Sequence, residues 1–306
     1  MTSDETASAP EPHSAHWLGQ DFRDAWWDRD QLELIASRLE LSAVEQVLDV
    51  GCGIGHWSFL LAAVLDPDAR FIGVDREPQW IAKATSRAVE RDLAGRMRFE
   101  HGDVGKLPFE DESFDLVTCQ TVLMHLADPR AAIAEMIRVT RPGGLVLAAE
   151  LNNRVAWLLD HSVSAGASIE DRIDLIRFGL ICERGKASLR EGDEAIGSLV
   201  PGYFAQAGMT DVEAVISQRT PVLYPPYASE QQQVLLGYVL DPETWIGSRA
   251  MRRRYFLAGG GIESEFEAAY GRRLREHDQV VDAIRAETFH LTGGFNLFLT
   301  SGRRPS

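Results

Sequence analysis

The chain has 306 residues, enough for one large or two modest domains, and 45% of them are hydrophobic, which supports a real core. Its formal net charge of −15 argues against a general nucleic-acid binder, which carries a basic footprint, and against adsorption on an anionic membrane. The three cysteines, Cys52, Cys119 and Cys182, have neither metal-site nor redox spacing, so no metal centre is expected and a reducing cytoplasm is the simplest location.

Residues 1–16 mix Ser, Pro, Ala, Glu and Asp, lack the basic start and apolar run of a secretion signal, and read as a disordered arm. No apolar stretch is long enough for a membrane span. Residues 17–41 hold two helical pieces, with Trp26 and Trp27 upstream of an apolar pattern over 31–41. From Val47 strands alternate with helices. Strands are expected at 47–50, 71–74, 97–101, 114–119 and 145–149, and helices at 56–65, 78–94 and 129–139. Pro78 and Pro129 stand near helix starts, where a missing N–H costs least. Pro142-Gly143-Gly144 reads as a turn. A sixth strand is expected at 212–217 and a seventh at 295–300, with helical insertions over 154–199 and 229–289. Pro221 to Pro226 marks a sharp corner, and Arg252-Arg253-Arg254 reads as a solvated helix face. Strands alternating with helices give right-handed crossovers and a parallel sheet with helices on both faces.

Val47-Leu48-Asp49-Val50-Gly51-Cys52-Gly53-Ile54-Gly55 is the most informative segment. A buried strand, a glycine turn and a helix N-terminus make a nucleotide-cofactor site at the carboxyl end of a parallel sheet. An ordinary glycine-rich connection gives the same pattern, and spacing discriminates among the cofactors. A dinucleotide site needs a third glycine where this chain has His56, so the loop suits a cofactor that brings no pyrophosphate.

Acids close successive strands. Asp49 ends the first and Asp103 follows the third; Asp75 ends the second, at roughly the 20-residue spacing at which a ribose acid follows the glycines. Gln120 follows the fourth. Any one of these acids reads equally well as a helix cap. Together they converge on one crevice and repel phosphate, which favours an adenosine without phosphates.

This set resembles the class I S-adenosylmethionine-dependent methyltransferases, nearest to the ubiquinone/menaquinone-biosynthesis-like small-molecule branch. The glycine segment, Gly73-Val74-Asp75, Gly102-Asp103-Val104, Leu107-Pro108-Phe109 with Phe114-Asp115-Leu116-Val117, Val122-Leu123-Met124-His125-Leu126 and Arg141-Pro142-Gly143-Gly144 occur in family order. The resemblance implies a Rossmann-like α/β fold: a seven-stranded, mostly parallel sheet whose last strand inserts antiparallel. It implies one methyltransferase domain over 17–306, with lid helices at 17–46, a cofactor core at 47–151 and acceptor-shaping insertions at 152–210 and 225–290. The cofactor site for S-adenosylmethionine would comprise Asp49, Gly51, Cys52, Gly53, Asp75, Arg76, Asp103, Val104 and Gln120, with Asp75 on the ribose, Asp103 on the adenine amine, and Asp49 either orienting the loop or contacting the methionine end.

Methyl transfer is an in-line displacement from an activated donor, so a base is needed only where the acceptor must lose a proton. His125 is the candidate base, although a packing role explains it as well; His161 and His290 are weaker. Glu150 and Asn152 are expected to border the crevice. Tyr224, Tyr227, Tyr238, Trp245 and Tyr255 suggest an apolar or aromatic small-molecule acceptor, and core burial accounts for the same residues. The alternatives are a nicotinamide-dependent oxidoreductase and a non-catalytic cofactor-binding module. Oligomeric state is not readable.

Overall fold

In the computed structural model, residues 26–216, 220–294 and 296–306 are described. The expected arm at 1–16, the first part of the lid, Ser217 and Phe295 lie outside these residues.

The strands expected from Val47 onward form one seven-stranded sheet of order β3-β2-β1-β4-β5-β9-β6. They are β1 (Gln46–Val50), β2 (Arg70–Asp75), β3 (Met97–His101), β4 (Phe114–Gln120), β5 (Thr140–Asn152), β6 (Thr210–Ile216) and β9 (Asn296–Arg303). The pairs from β3 to β5 are parallel, and β9 runs antiparallel between β5 and β6. This is the Rossmann-like arrangement the motifs implied. Val47, Leu48 and Val50 are fully buried because β1 is flanked by strands on both edges and covered on both faces. Strand order reverses at β1, so right-handed crossovers put the helices before and after that point on opposite faces and open a crevice at the carboxyl ends of β1 and β4.

The helices of this half are α1 (Arg29–Arg38), α2 (His56–Ala62), α3 (Pro78–Glu90), α4 (Pro129–Val139) and, later in the chain, α6 (Val200–Gln206). Asp28 caps α1 and Asp128 caps α4, each accepting a backbone N–H, and proline opens α3 and α4. The Pro142-Gly143-Gly144 turn is corrected to strand: β5 begins at Thr140 and shifts register opposite Phe114. Gly143 N–H donates to the Arg304 carbonyl and the Arg304 N–H to the Gly144 carbonyl, so the end of the chain keeps this segment paired.

The two insertions fold against each other as a cap. The first supplies α5 (Ile169–Ser188). The second supplies α7 (Glu230–Leu240), α8 (Pro242–Trp245), α9 (Arg249–Ala258) and α10 (Glu263–Arg285). Phe178 and Cys182 of α5 share an apolar cluster with Tyr255, Phe256, Phe266 and Tyr270 of the second insertion. A short ladder of β7 (Val222–Leu223) with β8 (Leu291–Thr292), not anticipated from sequence, closes the second insertion. The Pro221–Pro226 corner contains a cis peptide bond between Pro225 and Pro226.

Candidate functional site

A cavity of about 1900 Å³ lies between the sheet's carboxyl edge and the cap. Gly51, Gly53, Asp75, Arg76, Asp103, Val104, Gln120 and His125 all line it. Residues spread over four strand ends thus meet at one hollow.

The glycine loop is built for close approach. Gly51 and Gly53 have φ of 68° and 52°, in the region that favours glycine. A Cβ on Gly51 would lie 2.5 Å from Val122 Cγ2. Asp75 holds the loop: its Oδ2 accepts the Gly53 N–H at 2.9 Å and its Oδ1 accepts the Glu77 N–H at 2.9 Å. Each oxygen retains a lone pair for a further donor. Asp103 is exposed and accepts the Gly105 N–H at 2.7 Å, closing the turn that presents Val104. Arg76 is exposed and paired with Glu77.

Gln120 ends β4 with its side chain 7% exposed, and its Nε2 has no hydrogen-bond partner among the described residues. The next residue, Thr121, takes a φ of 53°, a costly conformation for a β-branched side chain and the kind of strain that gathers at functional sites. Its N–H is tied to the Ala149 carbonyl.

Two of the residues named for the cofactor, Asp49 and Cys52, stay behind the cavity wall. Asp49 does not line the cavity; it is 1% exposed beneath the loop and accepts the Ser58 hydroxyl at 2.6 Å. Burial pushes its pKa up to about 7, against the Ser58 hydrogen bonds. Cys52 turns inward between Gly51 and Gly53, is 6% exposed, and its thiol pKa is pushed well up by burial. Only its backbone belongs to the loop.

Glu150 is corrected as well. It is fully buried and turned toward the segment after β4. Its carboxylate accepts the N–H groups of Val122 and Leu123 at 2.8 Å and of Met124 at 3.3 Å. It therefore caps the single 3₁₀ turn Leu123–His125, and burial outweighs these bonds to push its pKa up to about 7. Asn152 caps the following turn through the Arg154 N–H and does not line the cavity. His125 is exposed on the 3₁₀ turn and lines the cavity.

The cap walls the far side. Tyr224, Tyr238, Trp245 and Tyr255 line it, whereas Tyr227 is buried in the cap with its hydroxyl on the Phe289 carbonyl. His161 lines the cavity with its Nε2 3.3 Å from Glu276 Oε1, while His290 stays outside. Trp26 lines the cavity, and Trp27 packs on Trp57 in a tilted pair with centroids 4.8 Å apart. In the basic triplet Arg253 and Arg254 pair at the surface with Glu263 and Glu191, but Arg252 turns inward. Its inward turn, and the partnership of Lys186 with Glu194, had no sequence signal: both depend on which face of a helix meets its neighbour.

The family model described as a methyltransferase domain matches residues 41–185, just under half of the chain. The 27-O-demethylrifamycin SV methyltransferase of Amycolatopsis mediterranei is 31% identical over 136 residues, 41% of this chain and 49% of that protein. The demethylmenaquinone methyltransferase of Oceanobacillus iheyensis is 32% identical over 124 residues, 40% of this chain and 50% of that one. The chain thus spans half or less of the length of the curated relatives it matches. The YcgJ protein of Bacillus subtilis matches in structure with a TM-score of 0.51 at 19% identity, over 91% of this chain and all of that one. The [4+2]-cyclase SpnF matches with a TM-score of 0.51 at 21% identity, over 90% and 81%. The structural likenesses show the fold, and residues 41–185 are similar to a methyltransferase domain.

Proposed function

We propose that the chain transfers the methyl group of S-adenosylmethionine to an oxygen, nitrogen or carbon of a small-molecule acceptor held between sheet and cap. The carrying observation is one juxtaposition on a single wall: the Asp75 carboxylate with a lone pair left on each oxygen, the Gln120 amide nitrogen without a partner among the described residues, and a loop whose Gly51 and Gly53 hold positive φ, with a Cβ on Gly51 barred by Val122. These groups fit a ribose diol, a polar methionine end and a close backbone approach.

In this reading Asp75 holds the ribose, Arg76, Asp103 and Val104 flank the adenine, and Gly51, Gly53 and Gln120 face the methionine end. Asp49 acts from beneath, through Ser58 at the start of α2, to fix the loop. When bound, the cofactor supplies a sulfonium-activated methyl group. The protein's contribution is to orient the acceptor and exclude water, which the cap is placed to do. His125 takes a proton where the acceptor must lose one. The acidic surface disfavours nucleic-acid partners, and no helix among the described residues is long and apolar enough to cross a membrane. Three buried thiols suit a reducing cytoplasm.

A screen of acceptors with methyl-labelled donor tests this reading. Acceptor-dependent release of adenosylhomocysteine and transfer of label are expected. Tight adenosylhomocysteine binding with no transfer to any acceptor would move the chain to the non-catalytic alternative.

A further inference from the structure

Inside the cap, two cations share one carboxylate. Lys186 is 2% exposed and its Nζ lies 3.6 Å from Glu194 Oε1. Arg252 Nη1 lies 3.7 Å from Glu194 Oε2. Both separations exceed hydrogen-bonding distance, so Glu194 balances two charges without accepting a hydrogen bond from either. Arg273, with a side chain 18% exposed, pairs with Glu276.

Arg252 has donors to spare on a cavity-facing edge. Its Nε donates to the Ile246 carbonyl at 3.1 Å, while Nη1 and Nη2 reach no hydrogen-bond acceptor among the described residues. Its seat is built: Gly247 has φ of 92°, and a Cβ there would lie 2.5 Å from Arg252 Nε. The guanidinium lines the cavity beside Tyr238, Trp245 and Tyr255. The same charged group reaches the cofactor wall, since Lys186 Nζ lies 3.5 Å from the Met124 carbonyl and the Asp193 N–H donates to that same oxygen.

Resting on the methyl-transfer reading, we propose that the acceptor is an anionic small molecule, with an apolar or aromatic body and a carboxylate held by Nη1 and Nη2 of Arg252. A planar guanidinium edge matches a carboxylate with two parallel hydrogen bonds. A neutral acceptor leaves the donors of that edge unmet, at the cost of their desolvation.

The test is calorimetric titration of the adenosylhomocysteine-loaded protein with 3-phenylpropionate, its neutral amide 3-phenylpropanamide, and 2-phenylethyl phosphate. The carboxylate is expected to bind at least tenfold tighter than the amide. Arg252→Met abolishes that preference while keeping affinity for adenosylhomocysteine. Glu194→Gln moves the other way and tightens the carboxylate, because it removes the competing anion. The comparison of acid with amide on the wild-type protein stands even if a variant fails to fold. An amide that binds as well as the acid, or an acid that gives no heat, overturns the anionic acceptor and leaves methyl transfer standing. Tighter binding of the phosphate overturns the carboxylate assignment in favour of phosphate esters. Failure of adenosylhomocysteine itself to bind takes both readings down.

Discussion

Asp75 spends one carboxylate oxygen on the Gly53 N–H and the other on the Glu77 N–H, so a single side chain shapes the loop and faces the cavity. Its removal costs charge-assisted hydrogen bonds of about 1.5–3 kcal/mol each. Asp75→Ala is therefore expected to weaken adenosylhomocysteine binding by more than about tenfold in calorimetry; unchanged affinity would count against the ribose assignment. The buried acids give a second prediction. Asp49 and Glu150 are raised from ordinary values of 3.8 and 4.5 to about 7 by burial. Between those limits the folded chain binds more protons than the unfolded one, so stability falls as pH rises through the window and is fully present only below it. Urea unfolding at about pH 5 and about pH 8 should show the lower midpoint at the higher pH, and Asp49→Asn should flatten the difference. Asp75 and Gln120 were legible because motif and strand end coincide. Glu150 was not: β5 is buried on both faces, so alternation along the strand does not say which way a side chain turns.

α5 and α9 meet through glycine. A Cβ on Gly185 would lie 1.7 Å from the Tyr255 carbonyl oxygen, and one on Gly259 would lie 2.0 Å from that of Ile181. Backbone cannot yield as a side chain does, so Gly185→Ala should cost about 3 kcal/mol or more, at the upper end of overpacking. A thermal melt reads this directly, and an unaltered midpoint would refute the packing account. α5 also explains why the cap was hard to foresee. It buries Glu183 and Lys186 while leaving Ile173 and Leu180 exposed, the reverse of the usual pattern. The helical insertion was legible, whereas the Ser168 cap on the Asp171 N–H and the inward face of the helix came only with the structure.

At the scale of the molecule, the parallel half of the sheet, β1 to β5, followed from local pattern, whereas the antiparallel insertion of β9 between β5 and β6 was implied by the resemblance. The cap did not, because its cores join segments far apart in the chain. Its apolar clusters are separate from that of the sheet, and the cavity lies where the two halves face each other. A ligand seated there binds only the folded chain, so saturating adenosylhomocysteine should raise the melting temperature, by about 2.7 kcal/mol of stability at a hundredfold excess over Kd. Absence of any shift at saturation would contradict a site assembled by folding.

Titration calorimetry of the wild-type chain with adenosylhomocysteine and, separately, with NADH addresses the phosphate-free adenosine site most directly. Saturable binding of adenosylhomocysteine and no heat from NADH is the expected result. Tight NADH binding with none of adenosylhomocysteine would contradict it.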